Sequence, residues 1–161
     1  MPTAATAIRS ASTVLCAFLC IACTSGVDGW SSGSTGYPLA YFHDDCAPWD
    51  GPALTILLTH TELESPFEQT VPNVRVTSYR PPAVLAGASF EWEGDAPDLG
   101  YGRWCEFFDD CWSATTVRVR FDRVQDSEDE LAGQVYLVFE GGRVVSGAFT
   151  ATRLPLQMLC G

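Results

Sequence analysis

The chain has 161 residues, and nine arginines face twenty carboxylates, for a formal net charge of −11 with no lysine anywhere. Such a surface is repelled by phosphate backbones and by anionic lipid, so nucleic acid is set aside as a partner. No apolar run approaches the ~20 residues that a membrane-crossing helix needs, so any membrane attachment has to come from something other than a span.

Residues 1–22 read as a signal peptide. Arg9 is the single basic side chain ahead of a short apolar stretch, Ser10 to Ala22, that carries Val14, Leu15, Phe18, Leu19 and Ile21. Thirteen residues are too short to span and end in a small residue, which is the export pattern. The segment Leu19-Cys20-Ile21-Ala22-Cys23 resembles the lipobox of bacterial lipoproteins, with Cys20 standing where the family usually has Leu. That resemblance implies cleavage before Cys23, a diacylglyceryl thioether on its sulfur and an acyl amide on its nitrogen. Two or three chains hold a protein durably at a membrane. Thr24 at the next position fits the family's sorting to the outer membrane, since its inner-membrane retention residue is Asp. The alternative is an ordinary secretory signal.

Residues 23–38 read as the lipidated Cys and a flexible linker, because Ser25, Gly26, Gly29, Ser31, Ser32, Gly33, Ser34 and Gly36 leave little to bury. Residues 39–161 are enough for one domain with a real core. Period-two alternation recurs through them and period 3.6 does not. Ala53 to Thr61 is an apolar, Thr-rich strand. Val74 and Val76 alternate with Arg75 and Thr77, Phe90 and Trp92 with Glu91 and Glu93, and Val117, Val119 and Phe121 with Arg118 and Arg120. Val135 to Phe139 leads through Glu140-Gly141-Gly142-Arg143 into Val144, a hairpin whose glycines supply the positive φ of a tight turn. Asp126 to Glu130 reads as a solvated turn. The expected fold is all-β: an antiparallel β-sandwich or small open β-barrel of about six to seven strands.

Setting aside Cys16, Cys20 and Cys23 leaves Cys46, Cys105, Cys111 and Cys160, an even number in an oxidising compartment. Three pairings are possible. Cys105 with Cys111 and Cys46 with Cys160 is preferred, the first closing a local loop and the second tying the domain ends. A zinc site of four thiolates is the competing reading, and the spacing supports it poorly.

No cofactor is implied. Neither His43 nor His60 sits in a hydrolase, metalloprotease or nucleotide-binding motif. The enzyme reading would be a small extracytoplasmic hydrolase or metal-assisted enzyme joining His43 to Asp44, Asp45 and Asp50. Calcium has weak candidates in three clusters, Asp44 with Asp45 and Asp50, Glu93 with Asp95 and Asp98, and Asp109 with Asp110, the second having the best mixture of carboxylates and turn residues and none a known loop register. The densest feature is aromatic: Phe90, Trp92, Tyr101, Trp104, Phe107, Phe108 and Trp112 fall within 23 residues. Either these side chains fill the core and cover the disulfide, or Trp104, Phe107, Phe108 and Trp112 form a binding face for protein or carbohydrate. Adjacent Phe107 and Phe108 cannot share one face of a strand, so at least one aromatic side chain is expected in solvent.

Asp45-Cys46-Ala47-Pro48-Trp49-Asp50-Gly51-Pro52-Ala53, the Gly133 to Ala148 hairpin running into Phe149-Thr150-Ala151, and the terminal Leu159-Cys160-Gly161 resemble features of uncharacterised lipoproteins of myxobacteria. With the signal these cover about a third of the chain. The likeness implies an exported, Cys-flanked β-domain with Cys46 and Cys160 as natural partners, and it brings no site residue. The sequence thus points to a non-catalytic, membrane-anchored cell-envelope lipoprotein that binds or scaffolds an unidentified ligand.

Overall fold

A computed structural model describes residues 33–68, 70–81, 84–122, 129–155 and 160. Cys23, Trp30 and residues 126–128 of the acidic turn lie outside them. Eight strands follow in chain order: β1 (Leu39–Cys46), β2 (Pro52–Thr59), β3 (Asn73–Tyr79), β4 (Ser89–Glu93), β5 (Gly100–Phe107), β6 (Asp110–Phe121), β7 (Glu130–Phe139) and β8 (Val144–Arg153). Residues Glu140–Gly142 form a single 3₁₀ turn between β7 and β8, with Gly141 and Gly142 both at φ near +80°. The fold is all-β, as expected.

Seven strands close a barrel in the order β6-β5-β3-β2-β1-β8-β7, with β7 returning to β6. The sequence led us to expect a sandwich or an open barrel; closure comes from two features that alternation does not reveal. One is a parallel contact, Tyr41 with Thr152 and Phe42 with Arg153, the exception in an otherwise antiparallel strand set. The other is the length of β6. Its first half pairs with β5 and its second half with β4 along the same edge, while β7 occupies the opposite edge. Closure removes the unpaired edges that invite aggregation. Strand β4 keeps one open edge, and it carries charge there: Glu91 bridges Arg118 at 2.7 Å and Glu93 accepts from Thr116 at 2.9 Å.

Alternation sorts the side chains. Leu54, Ile56, Leu58, Val74, Val76, Val117, Val119, Phe121, Leu131, Val135, Leu137 and Phe139 fill the interior. The outer face of β1 and β2 is covered as well, since Leu57 meets Leu63 and Leu154 against Tyr41. Leu154 N donates to Phe42 O, and Cys160 is bonded to Cys46, so Leu154 and Cys160 are both fastened to β1. The chain before β1 is also engaged: Ser34 bridges Ala148, Ala148 N donates to Gly33 O, and Thr35 is buried. Residues 33–38, expected as part of a free linker, therefore lie against β8.

Candidate functional site

Among the described residues the β5–β6 hairpin carries two adjacent exposed aromatic side chains at its tip, with Phe67 of the β2–β3 loop exposed as well. Cys105 and Cys111, directly opposite each other in the strand register, are joined by a disulfide that closes the hairpin at its root. A register shift between Cys105 and Phe107 breaks the alternation beyond it. Phe107 and Phe108 consequently both stand in solvent, 62% and 59% exposed. Glu106, Asp109 and Asp110 beside them are exposed too, which keeps the tip soluble.

Trp104 and Trp112, the other two aromatic side chains considered for a binding face, turn inward. Strand alternation decides this: Trp104 is 7% exposed and stacks on Trp112 across the β5–β6 pair, with centroids 4.6 Å apart and planes 20° from parallel. The Arg143 guanidinium lies 3.2 Å from the Trp104 centroid, so a cation caps this indole stack. Tyr37 belongs to the same cluster. Burial raises its phenol pKa, while the Arg143 charge and the Trp104 indole N–H pull it back down. Trp104 Nε1 has no hydrogen bond of normal geometry; its influence on Tyr37 is one of proximity. His60 lies just past β2, exposed and 4.9 Å from the Tyr37 ring, rather than within the strand.

A groove of about 190 Å³ opens on the outer face at the root of this hairpin. The strand register explains its lining. Across β2, β3, β5 and β6 the outward rows read Thr59, Asn73, Cys105, Cys111; then Leu57, Arg75, Arg103, Ser113; then Thr55, Thr77, Tyr101. Arg75 and Arg103 therefore sit directly opposite one another. Phe108 and the Cys105–Cys111 bridge wall one end, Tyr101 the other, and Glu68, Thr70 and Val71 of the β2–β3 loop one side. The Arg103 guanidinium lies 4.9 Å from the Tyr101 centroid. At the Tyr101 end a second hollow adjoins, lined by Pro48, Tyr79, Asp95 and Pro97. Burial raises the Tyr79 pKa there, reinforced by the neighbouring Tyr101 and the Asp45 carboxylate.

Of the residues considered for catalysis, His43, Asp44 and Asp45 are engaged by structural partners. His43 is buried and its Nδ1–H donates to Asp44 O at 2.9 Å, since a carbonyl only accepts. Asp44 is ion-paired with Arg153 at 2.7 Å. Asp45 accepts from Cys46 N and from Thr55 Oγ1, both at 2.8 Å; with that proton committed, Thr55 accepts from Thr77 Oγ1 at 2.8 Å. Asp50 projects from an exposed turn at φ 62°. The calcium candidates diverge in the same way. Glu93 is held by Thr116, Asp95 accepts from Ser113 at 3.2 Å, and Asp98 sits on an exposed turn lining a different hollow. Among the described residues no three carboxylates, imidazoles or thiols gather as a metal site. The four-thiolate zinc reading is overturned, because both cysteine pairs are disulfides.

Compared with protein-family models, curated proteins and solved structures, the chain matches none. The site residues that sequence reasoning missed are Arg75 and Arg103. Each looked like an ordinary outward residue of its own strand. Only the β3–β5 register, joining segments with β4 between them, puts the two side by side.

Proposed function

We propose that the chain is a non-catalytic lipoprotein of the cell envelope, anchored through Cys23, sorted to the outer membrane, and carrying a β-barrel that binds or scaffolds a partner. The observation that carries the reading is the hairpin tip. Two large apolar rings held in water are an unfavourable arrangement for a monomer, and here they ride on a covalently closed hairpin. A rigid aromatic pair loses little conformational entropy on binding, which makes it a good contact. The binding face is Phe107 and Phe108 together with the groove at the hairpin root, and the ligand is a protein or carbohydrate of the envelope.

The test uses Cys23→Ser, which removes the lipid site and is expected to release the protein in soluble form. That soluble protein is then mixed with envelope fragments and sedimented. It is expected to co-sediment, and Phe107→Ser with Phe108→Ser is expected to lower the bound fraction at least about tenfold, as loss of an interface centre does, without moving the thermal midpoint. Unchanged membrane retention when Cys23→Ser is combined with Phe107→Ser and Phe108→Ser would remove the anchor; equal sedimentation of the Cys23→Ser protein with and without the hairpin substitutions would remove the binding face.

A further inference from the structure

We propose that the groove beside the hairpin is an anion subsite in which Arg75 and Arg103 together grip one oxoanion, a carboxylate or phosphate group, of the bound ligand. The proposal deepens the binding reading above, on which it rests, by naming the chemistry that this end of the face recognises.

Arg75 on β3 and Arg103 on β5 are direct cross-strand partners on the outer face, an arrangement in which like charges destabilise a sheet. The surrounding chain has a net charge of −11 and twenty carboxylates with which to relieve that repulsion. It does so for other arginines, where Glu91 pairs with Arg118 and Asp44 with Arg153. Neither Arg75 nor Arg103 makes an ion pair with a described residue. Glu68, the one carboxylate in the groove lining, accepts instead from its own loop at Glu64 N. Asp95, in the adjoining hollow, accepts from Ser113.

Two arginines opposite one another in register and lining one groove bring planar forks of N–H donors that match an oxoanion in bidentate fashion. The flanks suit the rest of a ligand. Tyr101 and Phe108 stand at opposite ends of the groove, and Asn73 and Thr70 add neutral polar groups. A volume of about 190 Å³ is below the ~300–1,000 Å³ of a whole-ligand pocket. It suits one charged group and the ring that bears it.

The experiment follows the arginine Nε–Hε signals of the whole protein in neutral detergent by NMR, assigned with Arg75→Gln and Arg103→Gln. The probes are inorganic phosphate and galacturonate, with galactose as the uncharged ring and chloride at matched ionic strength. The expected result is a saturable shift of the Arg75 and Arg103 signals together, the other arginines staying in place, with phosphate or galacturonate but not with galactose or chloride. Whichever probe acts identifies the anion as phosphate or carboxylate. The same probe raises the thermal midpoint of the native protein, and the Arg75→Gln, Arg103→Gln double variant loses that rise. No saturable shift, or one that chloride reproduces or that spreads over all arginines, overturns the proposal. Because this readout is at the arginines, an absent shift alongside intact envelope sedimentation removes the anion subsite alone. A saturable shift alongside failed sedimentation removes the envelope contact and leaves the subsite standing.

Discussion

Gly102 shows how a single residue both builds this barrel and conceals it. It faces the interior from β5, and a Cβ placed there would lie 2.8 Å from Val117 Cγ2 and 3.2 Å from the Ala114 Cβ. The strand comes this close to β6 only because the side chain is absent. Gly102→Val is therefore expected to destabilise the fold by about 1–3 kcal/mol through overpacking, seen as a lower midpoint in chemical denaturation with the slope unchanged; an unaffected midpoint would show that the interior has room. The same glycine explains why β5 was not anticipated. With Gly100 and Gly102 at inward positions, Gly100-Tyr101-Gly102-Arg103 has no apolar alternation to read. Trp104 and Trp112 were ambiguous for a different reason. Sequence supplies their density, and only pairing across β5 and β6 turns both inward. Phe107 and Phe108 were more legible, since adjacent strand residues cannot both be buried on one face.

At the scale of elements, alternation made β3, β4 and the second half of β6 readable, a continuous apolar run made β2 readable, and paired turn glycines marked β7 with β8. Strand β1 was hidden because Leu39-Ala40-Tyr41-Phe42-His43-Asp44-Asp45-Cys46 mixes consecutive apolar with consecutive polar residues. Its polar outward side chains are buried or bonded, His43 being buried and Asp45 held by Thr55 and Cys46 N, so solvent never imposes the usual contrast. The first half of β6, Asp110 to Thr116, was hidden by the bulge between Ala114 and Thr116 and by its pairing with the glycine-rich β5. The arginine pair was legible at neither strand alone, because its meaning lies in register.

For the whole molecule, the Cys46–Cys160 bridge ties Cys160 to the end of β1. Its separation of 114 residues makes it the long closure, worth about 4–5 kcal/mol through restriction of the unfolded chain. Replacing both cysteines by serine is expected to remove stability of that order, measured by denaturant titration under non-reducing conditions. A loss below about 1 kcal/mol would mean that Leu154 and its neighbours hold the contact with β1 without help. The cysteine count pointed to this bridge because export was inferred first; the barrel's closure had no comparable signal.

The proposed contact of this barrel with the envelope through the β5–β6 hairpin and its groove is tested most directly by side-chain oxidation footprinting of the whole protein with and without envelope fragments. Phe107, Phe108 and Tyr101 are expected to lose reactivity on binding, while Leu99, 51% exposed just ahead of the opposite end of β5, keeps its own. Unchanged oxidation of Phe107 and Phe108 in the sedimented protein, or protection centred on Leu99 instead, would contradict it.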